Sequence, residues 1–216
     1  RAREEVAEIE LVDAFAAVNI GLFLVLLVFR YHARFVHYRG PGHLEEFFIY
    51  AIVLLFGIIA LWHTFRDHAF DPRLLALVQV GILMHFAGAF VQFPGGRLYD
   101  QHLLGIRYDK FVHLVNALAI AMLVDRVFTI LALPRGPLTR VILLTTVLGL
   151  GAVIEVVEYV VVLTIPANGV GDYDNNMQDL IANVCGGALY LLATAWRTEP
   201  RTRRERERSL PSADDD

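Results

Sequence analysis

Cysteine is nearly absent from the chain. The one copy, Cys185, sits inside an apolar run, so no intramolecular disulfide can form and the residue reads as a small packing group. A basic surface is lacking as well: the formal net charge of -4 averages a mixed-charge tail over acidic loops, and nothing points to nucleic acid. No simple leader is recognisable. The first ten residues, RAREEVAEIE, carry both signs, the apolar run after them is long for a signal core, and no small-x-small site closes it, so a spanning helix is expected there. Two further absences bear on chemistry. There is no compact metal signature of the His-Glu-x-x-His kind, and the loop that carries Asp172 and Asp174 and leads to Asp179 holds no Lys or Arg to neutralise them, so their partners must come from elsewhere in the chain.

Hydrophobic residues, by contrast, fill 56 % of 216 positions and the mean hydropathy is +0.50, well above the apolar share of soluble domains. The expected partner is the lipid bilayer and the expected fold class is all-α, a polytopic transmembrane bundle. Six runs approach the roughly 20 residues that a spanning helix needs: Val12 to Phe29, Glu46 to Phe65, Leu74 to Phe93, Phe111 to Leu131, Leu138 to Ile165 and Leu180 to Trp196. Gly40-Pro41-Gly42, Asp71-Pro72, Pro94-Gly95-Gly96, the Pro134 to Pro137 segment and Pro166 punctuate them. The length suits one domain, here residues 1–197, followed by a charged tail, 198–216, too poor in apolar residues to fold alone and expected to be disordered.

An even number of spans puts both termini on one side. That side collects Arg1, Arg3, Arg66, Arg73, Arg126, Arg135, Arg140, Arg197 and the arginines of the tail, against Arg30, Arg34, Arg39, Arg97, Arg107 and Lys110 opposite. The positive-inside rule then makes both termini cytoplasmic in a multi-pass protein of the inner membrane.

Polar residues converge at one depth in this arrangement. Glu155 and Glu158 are sunk in a run of Val, Ile and Leu, where each carboxylate costs at least about 2.5 kcal/mol on insertion scales and must pair, protonate or face water. They share a helix face at i, i+3. Asp109, His113 and Asn116 share another at i, i+4, i+7, and Asp179 and Asn183 begin the last run with the same spacing. With the outward acid Asp172, this is the donor set of Zn, Mn or Fe sites, with His85 and Asp174 as secondary candidates beside Asn183. Two other arrangements use the same residues: Lys110 or His113 pairing with Glu155 or Glu158 to neutralise charge between packed helices, and a proton path. Glu45 and Glu46 open the second run and read as charges favourable to a helix N-terminus. Gly149, Gly151, Gly186 and Gly187 read as sites of close helix approach, and Trp62 and Trp196 as interfacial anchors.

His85 in an apolar helix, YDKFVH from Tyr108, EVVEY from Glu155 and GDYDNNMQD from Gly171 resemble, in order and spacing, the YjdF-like family of small bacterial inner-membrane proteins. The likeness runs over Val80 to Gly187. One position departs, with Asn175 standing where the family carries a further Asp and Asp174 one place early. More distantly, Asp109-Lys110-x-x-His113 and Asp179-x-x-x-Asn183-x-x-Gly186 resemble VanZ-like membrane proteins. The resemblance implies an integral membrane protein without an assigned activity. The residues themselves lead to the expectation of a metal-assisted hydrolase or transferase acting on a lipid-linked or envelope small molecule. In it Glu155 or Glu158 is the catalytic base, and Asp109, His113, Asp172 and Asp179 hold a divalent ion. A proton-coupled transporter and a non-catalytic membrane scaffold are the alternatives.

Overall fold

The computed structural model describes residues 10–68, 70–164 and 172–208, the side chains of 38, 39, 161, 164 and 196–208 excepted. It is an all-α polytopic helical protein whose contacts gather into two compact units, Arg1–Ala76 with Ile165–Ala167, and Leu77–Thr164 with Asn168–Asp216.

The first unit opens with helix α1 (Leu11–Leu26), which passes through a π-helical stretch, Leu27–Tyr31, directly into α2 (His32–Arg39). The apolar run was expected to stop at Phe29. The helix continues because no Gly or Pro interrupts the backbone ladder before Gly40, whose φ of +88° ends it with the N–H bonded to the Val36 carbonyl at 2.9 Å. Helix α3 (Leu44–Phe65) follows, with Glu45 and Glu46 in its first turn as expected and His43 Nδ1 2.8 Å from Glu46 Oε1. Trp62, expected as an interfacial anchor, also makes specific contacts: its indole N–H donates to Asp13 Oδ1 at 2.8 Å, linking α3 to α1, and Arg66 stacks on its ring at 4.8 Å. The side chain of Trp196 lies outside the described residues.

Helix α4 (Pro72–Phe90) starts as its sequence directs, with Asp71 Oδ1 accepting the Arg73 N–H at 2.8 Å and proline in the first turn. Beyond Phe90 the chain leaves the helical ladder for two small antiparallel hairpins. Strand β1 (Gln92–Phe93) pairs with β2 (Gly96–Arg97), and β3 (His102–Leu103) with β4 (Ile106–Arg107). They come from a tandem repeat: QFPGGRLYD and QHLLGIRYD share Gln, Gly, Tyr and Asp at the same spacing. The second turn holds Leu104 and Gly105 at φ +54° and +80°, the two left-handed residues that a tight hairpin turn needs. The Tyr-Asp of the first copy closes a short 3₁₀ turn, Leu98–Asp100, and that of the second opens α5 (Tyr108–Ile130).

Helix α6 (Pro137–Thr164) and α7 (Tyr173–Arg208) complete the second unit. Their shared core is Ala117, Ala121 and Val124 of α5 against Leu143 and Val147 of α6, covered by Tyr190 and Leu191 of α7. At its far end Tyr190 donates to Asp125 Oδ2 at 2.8 Å, and Arg135 reaches the same carboxylate. Small residues set the spacing: a Cβ on Gly186 would lie 2.4 Å from the Leu114 carbonyl oxygen, and one on Gly187 2.9 Å from Leu144 Cδ1. A Cβ on Gly151 would meet Asn183 at 2.6 Å, so that glycine is also a contact, but a Cβ on Gly149 would meet nothing within 4 Å among the described residues, and the close approach expected there is not seen among them.

Among the described residues five helical segments are long and apolar enough to cross a bilayer: Leu11–His37, Pro41–Phe65, Pro72–Phe90, Tyr108–Ile130 and Pro137–Val160. Helix α7 is not among them. It begins seven residues before the expected Leu180 and continues to Arg208, through residues of the charged segment after 197. The early start has a local cause: Asp172 Oδ1 accepts the Asn175 N–H at 3.0 Å, and Asp174 lies in the first turn, where the exposed N–H groups favour a carboxylate. The acidic segment 173–178, expected as loop, is therefore the opening of a helix.

Candidate functional site

Chain geometry brings α5 and α7 together around one amine. Lys110, the only lysine in the sequence, is 7 % exposed near the start of α5. Its Nζ donates to Asp179 Oδ1 at 2.8 Å, to Asn175 Oδ1 at 2.8 Å and O at 3.1 Å, and to Asp109 Oδ2 at 3.3 Å. Charged hydrogen bonds of this kind are what make a buried ammonium tolerable. Asp179 is 1 % exposed and hydrogen-bonded at both oxygens: Lys110 donates to one and the Asn175 amide to the other, each at 2.8 Å. Asp109 is also buried, with Arg107 Nη2 3.0 Å from Oδ2. Arg107 in turn approaches Asp100 of the first repeat copy at 3.8 Å, so the two hairpin repeats meet over the start of α5.

His113 lies one turn deeper. Its Nε2 is 3.4 Å from Asp179 Oδ1 and its Nδ1 is 3.7 Å from Glu155 Oε1, so the ring stands between a carboxylate of α7 and one of α6. Asn183 is buried one turn beyond Asp179 on the same stripe of α7. His113, Glu155 and Asp179 each offer a ligand atom, and these atoms lie within 4.8 Å of one another. Glu155 is the unusual member. It is 5 % exposed, and neither carboxylate oxygen accepts a hydrogen bond from any described group. A buried carboxylate without a donor is costly enough to need an explanation.

The residues singled out in the sequence divide accordingly. Asp109, His113, Glu155, Asp179 and Asn183 come together; Glu158, one turn from Glu155, is half-buried within the electrostatic reach of Asp179 and Asp109. Asp172 and Asp174 are exposed, Asp172 bonded to the Asn175 N–H and Asp174 to Gln178 at 3.0 Å. His85 faces the hairpins, bonded through Nδ1 to the Tyr99 hydroxyl. Asn116 turns instead to α4, where a Cβ on Gly81 would meet its Oδ1. Lys110 was considered as a partner of Glu155 or Glu158; the carboxylates it binds are Asp179 and Asp109. Asn175 and Arg107 were missed. The one available signal for Asn175 was its i, i+4 spacing to Asp179, which puts both on one helical stripe.

A multi-pass membrane protein with an acidic, histidine-bearing polar cluster between its helices is the class these features define. The chain matches, over residues 15–200, the family described as "Predicted membrane protein (DUF2238)", and it belongs to that family. This agrees with the resemblance to an uncharacterised membrane family, and it does not extend to VanZ-like proteins. No curated protein and no solved structure matches the chain.

Proposed function

We propose that the chain is a metal-assisted hydrolase or transferase of the cytoplasmic membrane, working on a lipid-linked or envelope substrate from the outer face. The observation that carries this reading is the meeting of His113, Glu155 and Asp179, from three helices, with ligand atoms within 4.8 Å. Charge supports it. With every group ionised, as a bound cation favours, Arg107 and Lys110 stand against Asp109, Glu155, Glu158 and Asp179, which leaves two formal negative charges for a divalent ion to balance. Bound there, such an ion would polarise a phosphoryl or carbonyl oxygen and acidify a water. Of the chain's own groups, Lys110 fixes Asp179, His113 and Glu155 supply ligand atoms, and half-buried Glu158 serves as general base.

Metal analysis of the purified protein tests the proposal. About one divalent ion per chain is expected in the wild type, by analogy with single-ion sites, and its loss in His113→Ala while the helical circular dichroism is kept. A folded wild type that retains no Zn²⁺ or Mn²⁺ after loading ends the metal reading. A proton relay is the competing reading, since the two ring nitrogens of His113 face two carboxylates. It would need further titratable groups across the bilayer, and Asp125, near the other end of α5, is already bound to Arg135 and Tyr190.

The outer-face assignment takes α7 as a sixth crossing, for which the arginine asymmetry puts the hairpins outside. Leu104 at the second hairpin tip is 91 % exposed and gives the test. In a Cys185→Ala background, Leu104→Cys is expected to react with an impermeant maleimide in intact cells. Labelling only after the cells are broken would reverse the orientation.

A further inference from the structure

We infer that the cation site is one-sided: the ion is held by Nδ1 of His113 and the carboxylate of Glu155, while Asp179 accepts the Nε2–H of His113 and orients the ring. The inference rests on the metal reading above and assigns roles within it, making Asp179 a positioning residue where its sequence marked it as a ligand. Separation alone does not choose the side. Two ligand atoms about 2.1 Å from one ion lie roughly 3.0 to 3.7 Å apart at common angles, and both the Nε2 to Asp179 distance of 3.4 Å and the Nδ1 to Glu155 distance of 3.7 Å meet this.

Hydrogen bonding and charge choose it. Both oxygens of Asp179 already accept short hydrogen bonds, Oδ1 from Lys110 at 2.8 Å and Oδ2 from Asn175 at 2.8 Å. An ion on Asp179 Oδ1 would share that oxygen with the Lys110 ammonium, two cations within about 5 Å in a low-dielectric interior. Glu155 is the reverse case. Both its oxygens are buried without a donor, and Oε1 stands 3.7 Å from the ring nitrogen turned away from Asp179. A histidine that gives one N–H to a carboxylate and its other nitrogen to a metal is a common second-sphere arrangement, in which the carboxylate fixes the tautomer. Here the orienting carboxylate is itself anchored, by Lys110 from α5 and Asn175 from its own helix.

Equilibrium dialysis of the full-length protein in detergent against Zn²⁺ separates the roles. Glu155→Gln is expected to weaken retention by more than about 100-fold, and Asp179→Asn by about 10- to 100-fold, the range for lost second-sphere partners. The opposite order overturns the assignment. Cadmium NMR of the wild type, loaded with Cd²⁺, avoids any variant that fails to fold: scalar coupling is expected with histidine heavy-nitrogen-labelled at Nδ1 alone, and coupling seen only with the Nε2 label refutes the proposal. A wild type that retains neither Zn²⁺ nor Cd²⁺ would instead defeat the metal reading, and this assignment with it.

Discussion

Lys110→Met is expected to lower the melting temperature of the solubilised protein by on the order of 10 °C, from a loss of about 3 to 5 kcal/mol. The reason is asymmetry. Keeping the Lys110 pair gains little over an apolar replacement of the whole cluster, but removing the ammonium alone strands Asp179, 1 % exposed, with Asp109 beside it. Lys110→Arg is expected to recover only a small part, because a planar guanidinium cannot reproduce donation to three acceptor oxygens at 2.8 to 3.1 Å around one nitrogen. Neutralising both partners, Lys110→Met with Asp179→Asn, should melt above the single variant by an amount equivalent to about 0.5 to 3 kcal/mol of coupling. Differential scanning fluorimetry decides the matter, and a single variant that melts within about 1 °C of wild type would show that Lys110 does not hold this cluster together.

Gly186→Val is expected to be the most damaging substitution outside the polar cluster. Even a methyl group would meet the Leu114 carbonyl oxygen at 2.4 Å, Ala117 Cβ at 2.8 Å and the Leu118 nitrogen at 3.1 Å. Two of these are backbone atoms, which no rotamer change can clear. The helices would have to part by roughly 1 Å to restore ordinary contact, and overpacking of this kind costs about 1 to 3 kcal/mol or more. Gly186 lies on the same stripe of α7 as Asp179 and Asn183, at i+7 and i+3, so separation there should also loosen the Lys110 to Asp179 contact. Gly149→Ala is the control: nothing lies within 4 Å, so it should melt at or slightly above wild type, helped by alanine's helix propensity of up to about 1 kcal/mol. Equal melting of Gly186→Val and Gly149→Ala would mean that α5 and α7 are not in backbone contact.

Much of this protein is decided locally and could be read along the chain. Long apolar runs cut by Gly and Pro leave a helix as the only spanning structure with every backbone group bonded, so the all-α fold follows from composition and spacing. The i, i+3 and i, i+4 spacings of Glu155 and Glu158, His113 and Asp109, and Asp179 and Asn183 likewise name stripes before any contact is known. Spacing says which side of a helix a residue is on, not what lies opposite. It took the packing of α5 against α7, permitted by Gly186, to give Lys110 to Asp179 and Asp109 and leave Glu155 without a donor. The same packing sends Asn116 toward Gly81, although it shares a stripe with His113. Asp172, chemically the equal of Asp179, ends as an exposed helix cap because its own backbone neighbourhood claims it first. Residue type and period set the menu of partners; distances between helices, a property of the whole fold, choose from it.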